Sequence, residues 1–174
     1  MHRITILFAS ATALLAAPRA FAQAAAPAAA TATASLSDAA GKPVGSAKLT
    51  QTAHGILIAV DLHDLKPGTH AIHLHETGKC EGPAFKSAGG HYNPAHKQHG
   101  FITAEGAHAG DLPNLEVPAS GSVKAEFIAG DATFDTLLDA DGGAIVIHAK
   151  TDDYKSQPAG DAGDRVACGV IQKG

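Results

Sequence analysis

The sequence has no tryptophan, only two cysteines and no basic segment. Its 13 Lys and Arg residues are outnumbered by 17 Asp and Glu residues, which gives a formal net charge of -4 at pH 7. A protein that binds nucleic acid usually presents a basic surface that neutralises phosphates. The charge balance therefore argues against nucleic acid as a partner. Helix signals are also scarce, and the sequence has no internal repeat.

The N-terminal apolar run is too short for a stable membrane anchor. It reads "ITILFASATALLAA", follows His2 and Arg3, and falls short of the roughly 20 apolar residues that a transmembrane helix needs. It leads to "AFAQ", where Ala20 and Ala22 form the small-x-small pattern of a cleavage site. Residues 1–22 are therefore predicted to be a secretory signal peptide, and the protein is expected to be exported. Cleavage would remove two arginines and no acidic residue, so the net charge would change from -4 to -6.

The segment after the predicted cleavage site is low in complexity. Residues 23–32 contain mostly alanine, with proline and threonine, and such a composition is typical of a flexible tether. The remaining residues, 33–174, are long enough for one domain with its own core. We therefore expect a single folded domain over 33–174.

The two cysteines, Cys80 and Cys168, are expected to form a disulfide. Thiols of exported proteins are normally oxidised, and an even count makes one bridge the default. The alternative is a pair of free, buried cysteines.

Strand patterns dominate the rest of the sequence. In "GILIAVDL" the apolar side chains alternate, which predicts a strand with one buried face, and "SVKAEFIA" and "AIVIHAK" behave similarly. Turn signals such as "DAAGK", "ASGS" and "DADGG" separate the strands. Short strands at this spacing predict an all-β antiparallel sandwich or barrel. The alternation stops over 76–115 and 152–165, and such long loops usually carry function.

Histidines are concentrated in and around these loops. His73 and His75 lie two residues apart in an apolar strand, so their side chains share a face with Cα atoms roughly 6.5 Å apart. The pair alone is as typical of two surface histidines as of two metal ligands. Further candidate ligands follow at His91, His99, His108, Asp111 and His148. Three histidines and a carboxylate suit zinc, and strand-borne imidazoles suit copper.

These motifs closely resemble bacterial copper-zinc superoxide dismutases of the exported, periplasmic type. The resemblance runs from about Thr33 to the C-terminus and rests on "HLHETGKC", "GGHYNP", "AGDLPNL", "IVIHAKTDDY" and "GDRVACGVI". It implies an immunoglobulin-like Greek-key β-sandwich or barrel with two long functional loops. It also implies one copper ion and one zinc ion per subunit, superoxide anion as substrate, and a periplasmic location.

The resemblance assigns ligands position by position. Copper would be bound by His73, His75, His91 and His148. Zinc would be bound by His91, His99, His108 and Asp111. His91 would then serve both metals as a bridging imidazolate.

Catalytic roles follow from the same resemblance. Copper would alternate between two oxidation states, while His91 takes up a proton and gives it to the departing peroxide. Arg165 would hold the substrate anion. Lys155 matches no family position, but it lies in the loop before Arg165 and could be another source of positive field. Asp152 would link His73 to His99 and fix the orientation of both rings. The disulfide would fasten the loop of the zinc ligands close to Arg165.

Two alternatives stay open. The family includes domains that bind copper or zinc without turnover, so a non-catalytic metal-binding or copper-delivery module competes with the enzyme. Bacterial members occur as monomers and as dimers, which leaves a homodimer open. Four other histidines match no ligand position and are expected at the surface or in turns, namely His54, His63, His70 and His96.

Overall fold

The computed structural model describes residues 29–174, so the predicted signal peptide lies outside the described residues. Apart from a 3₁₀ turn and a single-turn helix, α1 (Phe134–Leu137), the regular elements are strands. The strands are β1 (Thr31–Asp38), β2 (Pro43–Thr52), β3 (Gly55–Leu62), β4 (Gly68–His70), β5 (Ile72–His75), β6 (Leu115–Val117), β7 (Val123–Ala129), β8 (Ala144–His148) and β9 (Arg165–Lys173).

Seven strands form one curled antiparallel sheet in the order β5-β8-β9-β1-β2-β3-β7. The last strand, β9, returns to pair with β1, a connection typical of Greek-key folds. Strands β4 and β6 form a separate pair. The inward side chains of β3 show the predicted alternation, since Ile56, Ile58, Val60 and Leu62 are all buried. The all-β prediction is confirmed.

The folded domain begins slightly earlier than predicted. Strand β1 starts at Thr31, two residues before the expected boundary at Thr33. Ala32 is fully buried and lies opposite Leu49 of β2. The sequence Thr31–Ala32 continues the alternation of β1, but its alanine-rich composition resembles the preceding tether. The C-terminal end of the predicted tether, 23–32, is therefore part of the sheet.

Two long connections carry no strand, as predicted. We call residues 76–114 the first loop and residues 149–164 the second loop. The first loop folds back on β5, where Leu74 donates its N–H to Gly110 and accepts one from Tyr92. The second loop is closed at its base by a hydrogen bond from Ala149 N–H to the Asp164 carbonyl.

The predicted disulfide is present between Cys80 and Cys168. It ties the first loop to the middle of β9, across 88 residues of sequence. Phe85, Ala88 and Val146 pack around it in a small apolar cluster of their own. Among the described residues, no helix has the length and apolar character needed to cross a membrane.

Removing the disulfide should lower stability substantially. We expect the double variant Cys80→Ala/Cys168→Ala to lose about 4 to 5 kcal/mol of free energy of unfolding, because the bridge restricts a long loop in the unfolded chain. Urea unfolding of metal-free protein measures the loss without a contribution from metal binding. A loss below about 1 kcal/mol would show that the bridge does not constrain the unfolded chain as described.

Candidate metal centre

Strand pairing brings three histidines to one buried face of the sheet. His73 and His75 alternate along β5, and His73 lies opposite Val146 of β8. His148 follows Val146 by two residues, so its side chain points to the same face. His91, from the first loop, forms an isolated bridge with His75 and completes the group. All four imidazoles are buried.

The four rings each direct one unpartnered nitrogen toward a common point. The ligand atoms of the group lie within 4.8 Å of one another. The buried nitrogens without a hydrogen-bond partner are His73 Nδ1, His75 Nε2, His91 Nε2 and His148 Nε2. A buried polar atom normally has a partner, so four convergent exceptions fit a metal ion that takes their lone pairs. We call these four residues the copper set.

The opposite nitrogens of these rings are held by hydrogen bonds. His73 Nε2 lies 2.8 Å from Asp152 Oδ2, and His75 Nδ1 lies 3.1 Å from the Gly89 carbonyl. His148 Nδ1 lies 3.4 Å from the Gly163 carbonyl. Because a carbonyl or carboxylate oxygen only accepts, the outer nitrogen carries the proton and the inner nitrogen keeps its lone pair. The surroundings thus select the tautomer that can bind a metal.

A second group forms around Asp111. Its Oδ1 lies 2.8 Å from His91 Nδ1, 3.0 Å from His99 Nδ1 and 3.2 Å from His108 Nδ1. Ligands around a tetrahedral zinc ion with bonds of about 2.0 to 2.1 Å are about 3.3 Å apart, which is close to these separations. The backbone N–H groups of Gly100 and His108 bind Asp111 Oδ2 and leave Oδ1 facing the histidines. We call His91, His99, His108 and Asp111 the zinc set.

His91 belongs to both sets. Its Nδ1 faces Asp111 and His108, while its Nε2 has no hydrogen-bond partner and faces the copper set. The two nitrogens of this ring therefore face different sets, and each could bind one metal ion. A bridging imidazolate requires this geometry.

Asp152 lies between the two sets. Its Oδ2 accepts from His73 Nε2 at 2.8 Å and its Oδ1 accepts from His99 Nε2 at 3.0 Å. The backbone N–H of Tyr154 also donates to Oδ1. The carboxylate is buried, so it fixes one ring of each set in a single orientation.

Arg165 begins strand β9 and reaches the first loop. Its two terminal nitrogens donate to the carbonyls of Phe85 and Gly89, each at 2.7 Å. The Gly89 carbonyl also faces His75 Nδ1, so one peptide group contacts both the arginine and the copper set. These bonds use two of five guanidinium N–H donors, and the others are left for an anion.

Burial controls the protonation of the copper set. It lowers the pKa of His91 to about 4 and that of His148 to about 3, because a charged imidazolium loses its hydration. The pKa of His75 is also lowered, mainly by burial and then by neighbouring histidines and Arg165. Neutral imidazole is the form that binds metal, so these ligands are ready at neutral pH.

At His99 and Asp111 of the zinc set, hydrogen bonds outweigh the effect of burial on the pKa. Burial acts on His99, but its hydrogen bonds to Asp111 and Asp152 outweigh burial and raise its pKa to about 9. Burial would raise the pKa of Asp111, yet hydrogen bonds from His108, His91 and His99 hold it well below its usual range. The carboxylate is therefore ionised and able to bind a cation.

One of the unassigned histidines differs from expectation. His70 was predicted at the surface or in a turn, but it is only 4% exposed. Its ring nitrogens face the carbonyl of His148 at 2.8 Å and that of Lys66 at 2.7 Å. It lies on β4, which pairs with β6 and so becomes part of the covered region. His54, His63 and His96 are exposed, as expected.

Three residues near the site were missed by the sequence analysis. Gly160 has φ +69°, and a Cβ there would lie 1.8 Å from Asp152 Oδ1. Asn114 and Gln157 bind the backbone of Asp152 and His99, respectively. A glycine in a turn-rich loop and two isolated amides give no local signal, because their partners are distant in sequence.

Metal-free protein should lose stability as pH falls from about 6.5 to about 4. In that window His91 and His148 are neutral when folded but take up protons when unfolded, so the unfolded state binds more protons. The free energy of unfolding should fall by up to about 1.4 kcal/mol per pH unit for each such histidine. His99 is protonated in both states there, and its contribution is lost instead as pH rises through about 9.

Urea unfolding of chelator-treated protein across the window measures this slope, and His148→Gln should reduce it. A free energy of unfolding that does not change between these pH values would contradict the neutral, buried state of the two histidines.

The chain is similar to known proteins over most of its length. The family model for copper/zinc superoxide dismutase (SODC) matches residues 44–171. "Superoxide dismutase [Cu-Zn] 1" of Aquifex aeolicus is 45% identical over 138 residues, which cover 76% of this chain and 82% of that protein. The superoxide dismutase [Cu-Zn] of Caulobacter vibrioides is 45% identical over 148 residues, covering 81% and 85%.

Solved structures have the same fold. A double mutant of a superoxide dismutase-like protein from Bacillus subtilis aligns with a TM-score of 0.77 at 41% identity, over 79% of this chain and 95% of that chain. The Cu/Zn superoxide dismutase from Brucella abortus aligns with a TM-score of 0.69 at 29% identity, over 82% and 99%. These similarities confirm the predicted resemblance and the Greek-key β-barrel fold. The chain belongs to the copper/zinc superoxide dismutase family.

Proposed function

We propose that the protein catalyses the dismutation of superoxide, in which two superoxide anions and two protons give dioxygen and hydrogen peroxide. The observation that carries the proposal is the convergence of four unpartnered, buried imidazole nitrogens in the copper set. The family's cofactors are copper and zinc, and both sets of side chains fit them. Copper, when bound, supplies the one-electron oxidation and reduction of superoxide.

The ligand assignment follows the free nitrogens. His73 Nδ1, His75 Nε2 and His148 Nε2 would hold copper together with His91 Nε2. His91 Nδ1 would hold zinc together with His99, His108 and Asp111. The buried carboxylate and the three rings would hold zinc, and this arrangement would keep His91 in position for its second role.

His91 would move one of the two protons. When Nε2 is not bound to copper it has no other partner in the protein, so a proton taken up there would face the copper set. A proton at this nitrogen would be given to the departing peroxide anion. The contact of Nδ1 with Asp111 would keep the ring aligned through the transfer.

Positive charge near the copper set would attract the anion. A cavity of about 550 Å³ is lined by Arg165 and by a second cation, Lys86 of the first loop. Asp164 also lines this cavity and weakens the positive field there. Lys155, the second cation expected from the sequence, instead has its backbone against Gly100 in the zinc-bearing part of the first loop. We therefore assign attraction of superoxide to Arg165 and Lys86.

We also propose that the protein is exported to the periplasm and that it forms a homodimer. Export to the periplasm is supported by the Cys80–Cys168 disulfide, which persists in an oxidising compartment.

A homodimer is supported by exposed apolar side chains. Leu57 and Ile128 pair across β3 and β7, and Phe101 lines a depression with Ile128. Sedimentation of the mature protein tests the second proposal.

The proposed activity is tested by the decay rate of superoxide after pulse radiolysis. Protein loaded with copper and zinc should give a second-order constant on the order of 10⁸ to 10⁹ M⁻¹s⁻¹. His148→Ala should lose this rate while it retains zinc, because His148 belongs only to the copper set. A copper-loaded protein no faster than a zinc-only control would favour the non-catalytic copper-holding alternative.

Variants that remove one positive charge distinguish the attraction of superoxide from the binding of the metals. Arg165→Ala should lower the rate by about tenfold or more with both metals still bound, and Lys86→Ala by a smaller factor. Both variants should weaken the dependence of the rate on ionic strength. Lys155→Ala is the matched control and should change neither quantity. Equal rates for Arg165→Ala and wild type would contradict the role assigned to the arginine.

A further inference from the structure

Two side-chain amides join the first and second loops directly behind the metal sets. Gln157, in the second loop, accepts from His99 N–H at 2.9 Å and donates to the His99 carbonyl at 2.9 Å. Asn114, at the end of the first loop, accepts from Asp152 N–H at 2.8 Å and donates to the Asp152 carbonyl at 2.9 Å. Each amide thus binds both backbone groups of one site residue, and each reaches across to the other loop.

We propose that Gln157 and Asn114 are positioning residues that hold the metal sets in their binding geometry, and that Gln157 acts selectively on zinc. The inference rests on the zinc and copper assignments proposed above. Gln157 acts through the backbone of His99 and Asn114 through the backbone of Asp152, not through a metal-ligand atom.

Paired hydrogen bonds to one residue restrict its backbone strongly. His99 is fully buried and its ring already contacts Asp111 and Asp152. If the backbone of His99 rotates, both bonds to Gln157 break together. The N–H of His99 has Gln157 as its side-chain partner, whereas its carbonyl also accepts from Thr103. Loss of Gln157 therefore leaves a buried donor unsatisfied and frees the ligand to move.

The two amides should affect the metals differently. His99 belongs to the zinc set and reaches the copper set only through Asp152. Asp152, held by Asn114, accepts from His73 of the copper set and from His99 of the zinc set. Loss of Gln157 should therefore weaken zinc binding, whereas loss of Asn114 should weaken the binding of both metals.

General destabilisation would not produce this contrast, and the chain offers a matched control. Gln51, near the end of β2, also binds the backbone at three points, through Thr52, Gly55 and Phe134. It lies in a hairpin that contributes no residue to either metal set. Gln51→Met removes a comparable set of backbone hydrogen bonds away from the metals.

The test measures zinc and copper affinities separately by chelator competition, with wild type, Gln157→Met, Asn114→Leu and Gln51→Met. Methionine and leucine keep roughly the side-chain size and remove its polar atoms. We expect Gln157→Met to weaken zinc binding by about 10- to 100-fold and copper binding by less than about twofold. Asn114→Leu should weaken both, and Gln51→Met should weaken neither while lowering the urea midpoint.

Two results would overturn the inference. One is zinc affinity of Gln157→Met within about twofold of wild type, and the other is an equal loss of both metals in that variant. If Gln157→Met does not fold, Gln157→Glu keeps the acceptor for His99 N–H and should lose less zinc affinity than Gln157→Ala. Failure of the wild-type protein to bind zinc would instead overturn the proposed zinc site itself.

Discussion

The imidazole ring of His91 has to face two groups of ligands at once, and the rest of the site is arranged around that requirement. One nitrogen lies 2.8 Å from Asp111 and the other points without a partner into the copper set. A ring in this position can neither rotate nor shift without losing one group. The first loop must therefore deliver His91 to the face of β5 with little freedom, and the contacts of Leu74 with Tyr92 and Gly110 do this through the backbone.

The remaining contacts fasten the two loops to the sheet and to each other. The disulfide fixes the first loop to β9, and Arg165 on the same strand binds the carbonyls of Phe85 and Gly89. Asp152 connects a ring of the copper set with a ring of the zinc set, and Gly160 leaves the space that this carboxylate occupies. Binding of the metal ions then needs little reorganisation of the protein, because three copper ligands and two zinc ligands are already oriented by a contact outside their own set.

Local patterns predicted much of the fold and most of the candidate ligands. The alternation in β3 and the His73-x-His75 pair are visible because a strand places every second side chain on one face. Other features depend on contacts between residues far apart in sequence. His70 is buried by strand pairing and by the His148 carbonyl 78 residues away, and Gln157 contacts His99 across 58 residues. The start of the folded domain was predicted two residues too late because Thr31 and Ala32 have the composition of the preceding tether.

The central claim is that one imidazole joins the two metal ions. Electron paramagnetic resonance of protein loaded with copper(II) at both sites tests it directly, because unpaired electrons on two ions couple when both ions bind the same imidazolate. The account predicts the spectrum of an exchange-coupled pair, which is lost when His91 is replaced by alanine. A wild-type spectrum equal to the sum of two independent copper(II) signals would contradict it.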